Sequence, residues 1–497
     1  MNPAAHSSQS QTTEHPYCAR QEKRAKIIAT LGPNTTSDTM IKELILAGAN
    51  IFRLNQSHSK GDVQALEQLI QTIRIVSQSL KRPVGILADL QGPKLRTGLL
   101  KDHETVTLKP GETTLITASS EPGEHGRITT EALDLLKALQ AEDLVLIDDG
   151  RLRLKVNKRI DDHTVECRII QGGDLKERKG INVPTVSLAF DALTEKDKAD
   201  ALTCVKAGVD FLALSFVRHP EDIIRLRDFV LNRGLLCPPI IAKIEKPQAV
   251  EHIDGIIDEA DGIMVARGDL GVELPPERVP GVQKMLIHKA NCAGKPVIVA
   301  TQMLESMITS LEPTRAETTD VYNAVFDGAD VLMLSGETAV GEHPVQAVAM
   351  MTRVIYQAEQ EKPIVESPRN YNPDNYHEVI AYQAATTHSN ARAIVVLSSS
   401  GHMAQRVSKR KPAKEIIALT PDPKVFHQMS LLWGVTPVMI PYGHNSDQTI
   451  RNGEMAILKA HLLEPGDGVI FCAGLTPFPG ASNFIKLYHM GELTHIT

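Results

Sequence analysis

The sequence predicts an α/β protein: a (β/α)8 barrel with a small all-β domain inserted in it, followed by a C-terminal doubly wound α/β domain. Three observations support this. Eight short apolar runs recur between residues 26 and 335, residues 98–180 interrupt them, and an α/β pattern resumes after residue 375. Runs that are apolar throughout are buried on both faces, as parallel strands covered by helices are.

Each apolar run is rich in Ile, Val, Leu and Ala, and nearly every one ends in a polar or charged residue. The runs are Lys26–Gly32, Ile51–Gln56, Val84–Asp89, Phe211–Phe216, Ile240–Glu245, Gly262–Arg267, Pro296–Thr301 and Val331–Ser335. In a barrel of this kind, the active site lies on the loops at the carboxyl ends of the strands. The polar residues that end the runs are therefore the candidate site.

Residues 98–180 have the pattern of an all-β insertion, with short, partly alternating segments separated by Gly, Asp and Pro turns. The predicted segments are Glu104–Leu108, Thr114–Ala118, Leu144–Ile147, Leu152–Asn157 and Thr164–Ile170. An insertion in a βα loop lies at the mouth of the barrel, where it can act as a lid.

After the barrel a second α/β pattern follows. A helix over Pro344–Glu361 ends the barrel, and a linker rich in Pro and Asn covers Pro363–Asn375. The predicted elements beyond it are a helix over His377–Asn390 and strands over Ala393–Leu397, Glu415–Leu419, Val438–Ile440 and Gly468–Cys472. The predicted domains are a disordered tail (1–20), the barrel (21–97 and 181–361), an inserted β-barrel lid (98–180) and the C-terminal domain (362–497).

The composition excludes several classes of protein. With 497 residues, a net charge of −7 and no Lys/Arg-rich block, no nucleic-acid partner is predicted. The six cysteines are scattered without a CxxC pair, which favours reduced thiols over disulfides or a zinc site. We find neither a signal peptide nor a run approaching the ~20 apolar residues of a membrane span. The sequence therefore predicts a soluble cytoplasmic protein without a membrane partner.

Two neighbouring strands end in carboxylates. Lys243 and Glu245 are two residues apart and so share one face of the fifth strand. Asp269 follows the sixth strand, next to Gly268, where backbone can approach a ligand closely. Two carboxylates without His or Cys favour Mg²⁺ or Mn²⁺. A purely structural ion pair between Lys243 and Glu245 is the alternative.

Other strand ends add cations and hydroxyl groups. The residues are Arg53, Asn55 and Ser57 after the second strand, Asp89, Lys94 and Arg96 after the third, and Thr301 after the seventh. Thr301 is either a site hydroxyl or a helix N-cap. Fixed cations beside a divalent metal suit an anionic substrate, with phosphoryl transfer as the leading class of reaction.

These motifs resemble those of pyruvate kinases. The matching segments are KIIATLGP (26–33), RLNQSH (53–58), KIE (243–245), RGDLG (267–271), ATQMLESM (300–307), PTRAE (313–317) and SGET (335–338). They occur in the family's order and, with the inserted domain and the C-terminal effector domain, cover essentially the whole chain after the tail. The resemblance implies transfer of the phosphoryl group of phosphoenolpyruvate to ADP, giving pyruvate and ATP in glycolysis.

The resemblance also implies roles for individual residues. Glu245 and Asp269 would hold Mg²⁺ (or Mn²⁺), Lys243 would stabilise the transferring phosphoryl group and the developing enolate, and Arg53 would grip the phosphate. The substrate carboxylate would be positioned by Gly268, Asp269 and Thr301, and Thr301 also lies where the enolpyruvate is protonated. The residues that would bind the nucleotide are Asn55, Ser57, His58, Arg96 and Lys179.

The chain departs from the family's pattern in its monovalent-cation region. Many members bind K⁺ with Asn, Ser, Asp and Thr ligands and carry a Glu shortly afterwards. Asn55, Ser57 and Asp89 match this pattern, but Leu90 stands at the Thr position and Lys94 at the Glu position. We predict that the Lys94 ammonium replaces the monovalent cation, so that K⁺ is not required. The alternative is that Lys94 is only a solvated loop lysine.

Ser398, Ser399, Ser400 and Gly401 lie between a predicted strand and a predicted helix of the C-terminal domain. Hydroxyl and backbone N–H groups at a helix N-terminus suit a phosphate, and family members bind a phosphorylated allosteric effector in this domain. A sugar phosphate and a nucleotide both remain open as the effector, and an ordinary strand–helix turn is the alternative. The family is usually a homotetramer. Rival functions are a metal-dependent barrel aldolase or decarboxylase, or a catalytically silent paralogue.

Overall fold

The computed structural model describes residues 23–58, 62–184, 186, 191–361, 372, 374–387, 389–474 and 482–492. The predicted tail (1–20) lies outside the described residues, as does most of the predicted linker. Within these ranges, no helix combines the length and the apolar character needed to cross a bilayer.

Eight parallel strands close into a barrel, in which each strand pairs with its neighbours in the chain order and the eighth pairs with the first. The strands are Lys26–Thr30, Ile51–Asn55, Gly85–Asp89, Phe211–Leu214, Ile240–Ile244, Gly262–Ala266, Val297–Ala300 and Val331–Leu334. All eight predicted strands are confirmed. Their ends lie up to two residues earlier than predicted, because the terminal polar residues leave the ladder to form the loops.

Helices surround the barrel, and their N-termini begin where the sequence supplies caps. The side chain of Thr194 accepts from Asp197 N and that of Thr314 from Glu317 N, each within a capping box. The helices are Asp38–Ala47, Val63–Leu80, Glu195–Ala207, Pro220–Leu231, Pro247–Glu251, Ile253–Glu259, Arg267–Glu273, Val279–Cys292, Arg315–Phe326, Gly336–Ala339 and Pro344–Gln360, with 3₁₀ turns at Gln56–His58, Pro276–Arg278 and Glu305–Ile308.

The insertion follows the third barrel strand and has its own apolar core. Its strands are Val106–Leu108, Thr113–Ala118, Arg127–Thr130, Leu144–Ile147, Leu152–Arg159, Thr164–Gln171, Gly173–Leu175 and Ile181–Asn182, with a 3₁₀ turn at Lys101–His103 and a helix at Leu133–Ala138. They form a six-stranded mixed sheet and a two-stranded sheet. The all-β prediction is confirmed apart from the short helix, but the strands do not pair as one closed β-barrel.

Among the described residues, the C-terminal sheet has five strands, of which the last is antiparallel to its neighbour. In spatial order they are Val435–Met439, Glu415–Thr420, Ala393–Leu397, Gly468–Gly474 and Ser482–His489. The helices are Tyr376–Thr386, His402–Lys409, Pro423–Gln428 and Ser446–Lys459, with a 3₁₀ turn at Met429–Leu431. The doubly wound prediction is confirmed.

Two details of the C-terminal prediction differ from the structure. The strand predicted at Val438–Ile440 is Val435–Met439, because Pro437 is tolerated on an edge strand. The helix predicted through Asn390 ends at Thr386. The final strand, Ser482–His489, was not predicted.

The C-terminal domain packs against the amino-terminal end of the barrel. Leu431 belongs to the cluster of buried residues inside the barrel, and Lys26 Nζ donates to Val435 O at 2.8 Å. Asp330, which is 1% exposed, pairs with Lys409 and, at 3.2 Å, with Lys411. Burial raises the pKa of Asp330, but the two lysines outweigh it and hold the pKa below its usual value.

Asp330→Ala should destabilise the protein strongly, because two partly or fully buried lysines lose their carboxylate. We expect a loss of about 3–5 kcal/mol in the free energy of unfolding, the usual cost of breaking a buried pair. Asp254→Ala removes an exposed carboxylate, also paired with a lysine, and should cost less than about 1 kcal/mol. Thermal and urea unfolding of the two variants provide the comparison, and equal losses would contradict this account.

Candidate active site

Lys243 lies at the mouth of the barrel, near the end of the fifth strand. Its ammonium is 2.9 Å from Glu245 Oε1 and 3.2 Å from Asp89 Oδ1, and it donates to Ser215 Oγ at 2.7 Å. Burial lowers the pKa of Lys243, but the carboxylates of Asp89 and Glu245 outweigh burial and hold the pKa above its ordinary value. The mouth therefore contains a fixed positive charge.

Asp89 lies between two cations. Arg53 Nε is 2.6 Å from Asp89 Oδ2, and Arg53 also donates from Nη1 to Thr30 Oγ1 at 3.2 Å. Burial raises the pKa of Asp89, but Lys243 and Arg53 hold it below its usual value. The carboxylate is thus an anion that orients Arg53 and Lys243.

Glu245 and Asp269 are the two oxygen ligands that the sequence predicts for a divalent metal. Glu245 is 1% exposed and accepts from Phe216 N at 2.8 Å, whereas Asp269 is partly exposed at the start of the helix Arg267–Glu273. Burial raises the pKa of Glu245, Lys243 opposes the rise, and the charge of Asp269 adds to it. A hard divalent cation relieves such repulsion between carboxylates. The donor set therefore fits Mg²⁺, although the described residues contain no group of three or more His, Cys, Asp or Glu arranged for a metal.

Thr301 has a strained backbone, with φ of +69°, which is rare for a β-branched residue. Its Oγ1 accepts from Gly268 N at 2.7 Å and donates to Ala300 O at 2.6 Å. The hydroxyl therefore caps the helix of the preceding βα unit rather than a helix of its own. Arg267 Nη2 donates to Thr301 O at 2.7 Å, and Arg267 Nη1 lies 2.6 Å from Asp320 Oδ2. Arg267 therefore holds the loop after the sixth strand to the loop after the seventh.

The predicted nucleotide residues divide into two groups. Asn55 lies at the end of the second strand, where its side-chain oxygen accepts from Ser57 N at 3.1 Å. Arg96 and Lys179 lie instead where the chain enters and leaves the insertion. Arg96 Nη1 donates to Arg178 O at 2.9 Å, and Lys179 Nζ is 2.8 Å from Asp148 Oδ1. The side chain of His58 lies outside the described part of the chain.

Lys94 is exposed. It lines a cavity of about 60 Å³ at the junction of barrel and insertion, together with Asp269, Lys246 and Glu273. Asp89 is paired with Arg53 and Lys243 rather than with Lys94. The structure thus brings Lys94 near Asp269 but not into contact with the carboxylate of the predicted monovalent-cation region.

The predicted effector loop precedes the helix His402–Lys409. Ser398 is buried, Gly401 has φ of +81°, and Ser400 and Gly401 line a cavity of about 340 Å³ between the barrel and the C-terminal sheet. Ser399 completes the loop in the sequence.

Sequence reasoning did not select four residues of the mouth: Ser215, Lys246, Arg267 and Glu273. Arg267 ends a predicted strand and Ser215 is the last polar residue of another, so the rule that selects polar residues at strand ends covers both, although neither was given a role of its own. Lys246 and Glu273 have no such signal, because only the fold brings them to 2.5 Å from each other.

A partly buried lysine between carboxylates, with a guanidinium beside it, at the mouth of a (β/α)8 barrel is typical of enzymes of this fold. Two family models match the chain: the pyruvate kinase barrel domain over residues 22–348 and the pyruvate kinase alpha/beta domain over residues 378–488. The chain belongs to the pyruvate kinase family, and is accordingly a phosphotransferase.

Individual relatives agree with this assignment. The pyruvate kinase of Methylorubrum extorquens is 40% identical over 478 residues, covering 94% of this chain and 98% of that relative. The pyruvate kinase of Mycobacterium tuberculosis is 40% identical over 473 residues, covering 95% and 99%. The crystal structure of a pyruvate kinase from Cryptosporidium parvum superimposes with a TM-score of 0.87 at 36% identity, covering 94% of this chain and 96% of that one.

The pairing of Asp89 predicts a pH-dependent contribution to stability. Because its pKa is lowered in the folded protein, the stabilisation is present above the unfolded pKa of about 4 and is lost as the pH falls through the folded value. The difference in melting temperature between wild type and Asp89→Asn should be largest at neutral pH and shrink toward acid. Thermal unfolding measures this difference. A difference in melting temperature that stays constant from neutral to acid pH would contradict the assignment of a negative charge to Asp89.

Proposed function

We propose that this enzyme transfers the phosphoryl group of phosphoenolpyruvate to ADP, producing pyruvate and ATP in glycolysis with Mg²⁺ as its metal. The observation that carries the proposal is the Lys243 ammonium, held by Asp89, Glu245 and Ser215 at the centre of the mouth. A preorganised charge of this kind stabilises negative charge that develops in the transition state.

Glu245 and Asp269 are the proposed Mg²⁺ ligands. The metal would supply a divalent charge that offsets the phosphoryl and enolate oxygens. Lys243 stabilises the charge on the transferring group and on the developing enolate. Arg53, oriented by Asp89 at 2.6 Å, binds the phosphate through the rest of its guanidinium.

The substrate carboxylate is proposed to bind at Gly268, Asp269 and Thr301. The N–H of Gly268 donates to Thr301 Oγ1, so a bound carboxylate that accepts this N–H frees the hydroxyl for the substrate. The hydroxyl then faces the carbon at which enolpyruvate takes up a proton, directly or through water.

The nucleotide is proposed to contact Asn55, Ser57, His58, Arg96 and Lys179. Because Arg96 and Lys179 lie at the two connections between barrel and insertion, binding of ADP phosphates there would draw the insertion over the mouth. Closure excludes water, to which the phosphoryl group would otherwise be lost.

Several finer features belong to the same proposal. K⁺ is not required, because the Lys94 ammonium takes the place of the monovalent cation. A phosphorylated effector binds at Ser398, Ser399, Ser400 and Gly401, and the protein works as a cytoplasmic homotetramer.

The proposed domains are the barrel (21–97 with 181–361), the inserted lid (98–180) and the C-terminal domain (362–497). A silent paralogue is disfavoured, since Lys243, Glu245, Asp269 and Thr301 are all retained.

The direct test is pyruvate formation from phosphoenolpyruvate and ADP, with and without Mg²⁺, for wild type and Lys243→Met. We expect activity that depends on Mg²⁺ and that falls by at least about 10²–10³ in the variant, as for other preorganised charges in transition-state stabilisation. Lys289→Met removes a partly exposed lysine on an outer helix of the barrel and should leave the rate unchanged. An inactive wild type, even with candidate phosphorylated effectors added, would refute the proposal.

Exchange of the monovalent salt tests Lys94. Wild-type activity should be equal in potassium and in tetramethylammonium buffers, whereas Lys94→Glu should be strongly stimulated by K⁺, since that variant replaces the built-in cation with a carboxylate. The control is Lys109→Glu, which makes the same change of charge at an exposed position of the insertion and should respond to K⁺ as the wild type does. Strong K⁺ activation of the wild type would show that Lys94 is a solvated lysine without this role.

A further inference from the structure

A carboxylate outside the proposed metal site joins three parts of the mouth. Glu273, 5% exposed, ends the helix that begins with Arg267 and carries Asp269. Its Oε1 lies 2.5 Å from Lys246 Nζ and accepts from Asn182 Nδ2 at 2.7 Å. Lys246 follows Glu245 directly, and Asn182 lies on the strand that returns from the insertion.

Lys246 carries a positive charge close to the proposed metal site, where it can compete with a metal ion for a carboxylate. Its ammonium lies 5.7 Å from the centre of the Phe216 ring, and Lys246, Asp269 and Glu273 line one cavity of about 60 Å³. A lysine side chain that loses its partner can rotate about its flexible four-carbon stem. Among the described residues that line this cavity, Asp269 is the other carboxylate besides Glu273, so it is the one available to an unpaired Lys246 ammonium.

We propose that Glu273 is a positioning residue that holds the Lys246 ammonium away from the metal carboxylates. The pair keeps Asp269 free for a divalent ion. Through Asn182 the same carboxylate binds the strand that leads back from the insertion, so a movement of the insertion that breaks this hydrogen bond loosens the hold on Lys246. The inference rests on the proposed metal role of Glu245 and Asp269.

Binding of Mn²⁺ alone, followed by the loss of the free-ion electron paramagnetic resonance signal, tests the proposal without turnover. Glu273→Gln retains an acceptor for Asn182 but removes the charge that holds Lys246. It should weaken Mn²⁺ binding by about tenfold or more, because the Lys246 ammonium then competes with the metal for Asp269. Glu273→Gln combined with Lys246→Met should restore wild-type binding. Lys246→Met alone should bind Mn²⁺ at least as tightly as the wild type.

The control is Asp254→Asn, which breaks a lysine–carboxylate pair with the same 2.5 Å separation on the outer surface and should not affect Mn²⁺ binding. Wild-type binding by Glu273→Gln would overturn the proposal. So would weak binding that the second substitution fails to restore, because Glu273 would then act only through the fold. Two other results would instead refute the metal role of Glu245 and Asp269. One is a wild type that binds no Mn²⁺, and the other is an Asp269→Asn variant that binds Mn²⁺ as tightly as the wild type.

Discussion

The charge balance around Lys243 is the constraint on which the mouth of the barrel depends. Four neighbouring strands contribute to it: Arg53 from the second, Asp89 from the third, Ser215 after the fourth and Lys243 from the fifth. Pairing of Asn55 with Asp89 and of Asp89 with Ala213 fixes the register of the first three of these strands. In the interior an unpaired charge is costly, so each charged group requires the others, and the whole arrangement requires the barrel to close in this register.

Two loops at the mouth have a backbone that their side chains disfavour. Phe216 has φ of +55° and Thr301 has φ of +69°. In both cases the strained residue is fixed by a charged neighbour: Phe216 N donates to Glu245, and Thr301 O accepts from Arg267. Such strain persists only where the surroundings determine it. Glu245 directly follows the fifth strand and Arg267 directly follows the sixth. The elements that carry the proposed metal ligands therefore also shape these two loops at the mouth.

The sequence was sufficient to predict the barrel and the C-terminal sheet, because strands buried on both faces leave short continuous apolar runs that recur along the chain. The insertion was predictable from its short, partly alternating segments between turns. The pattern of apolar runs also placed Lys243, Glu245 and Asp269 together at the mouth of the barrel, where the structure also has them, while their roles stay predictions. The pairing of Lys246 with Glu273 had no signal, since 27 residues separate the two and only the packing of one helix brings them together. The final strand, Ser482–His489, was missed because it is set by antiparallel pairing with Gly468–Gly474, which its own residues do not reveal.

At the opposite end of the barrel, the C-terminal domain packs into the same core as the strand that carries Lys243. Leu431 and Ile241 belong to one cluster inside the barrel, and Ile241 lies on the same strand as Lys243. A Cβ atom at Gly401, in the proposed effector loop, would lie 3.8 Å from Met429 Cγ, at the start of the turn that carries Leu431. Because packed interiors transmit displacement rather than absorb it, a ligand that shifts this turn acts on the floor of the fifth strand. The effector binding proposed for this domain therefore has a continuous packed route to the strand that carries Lys243.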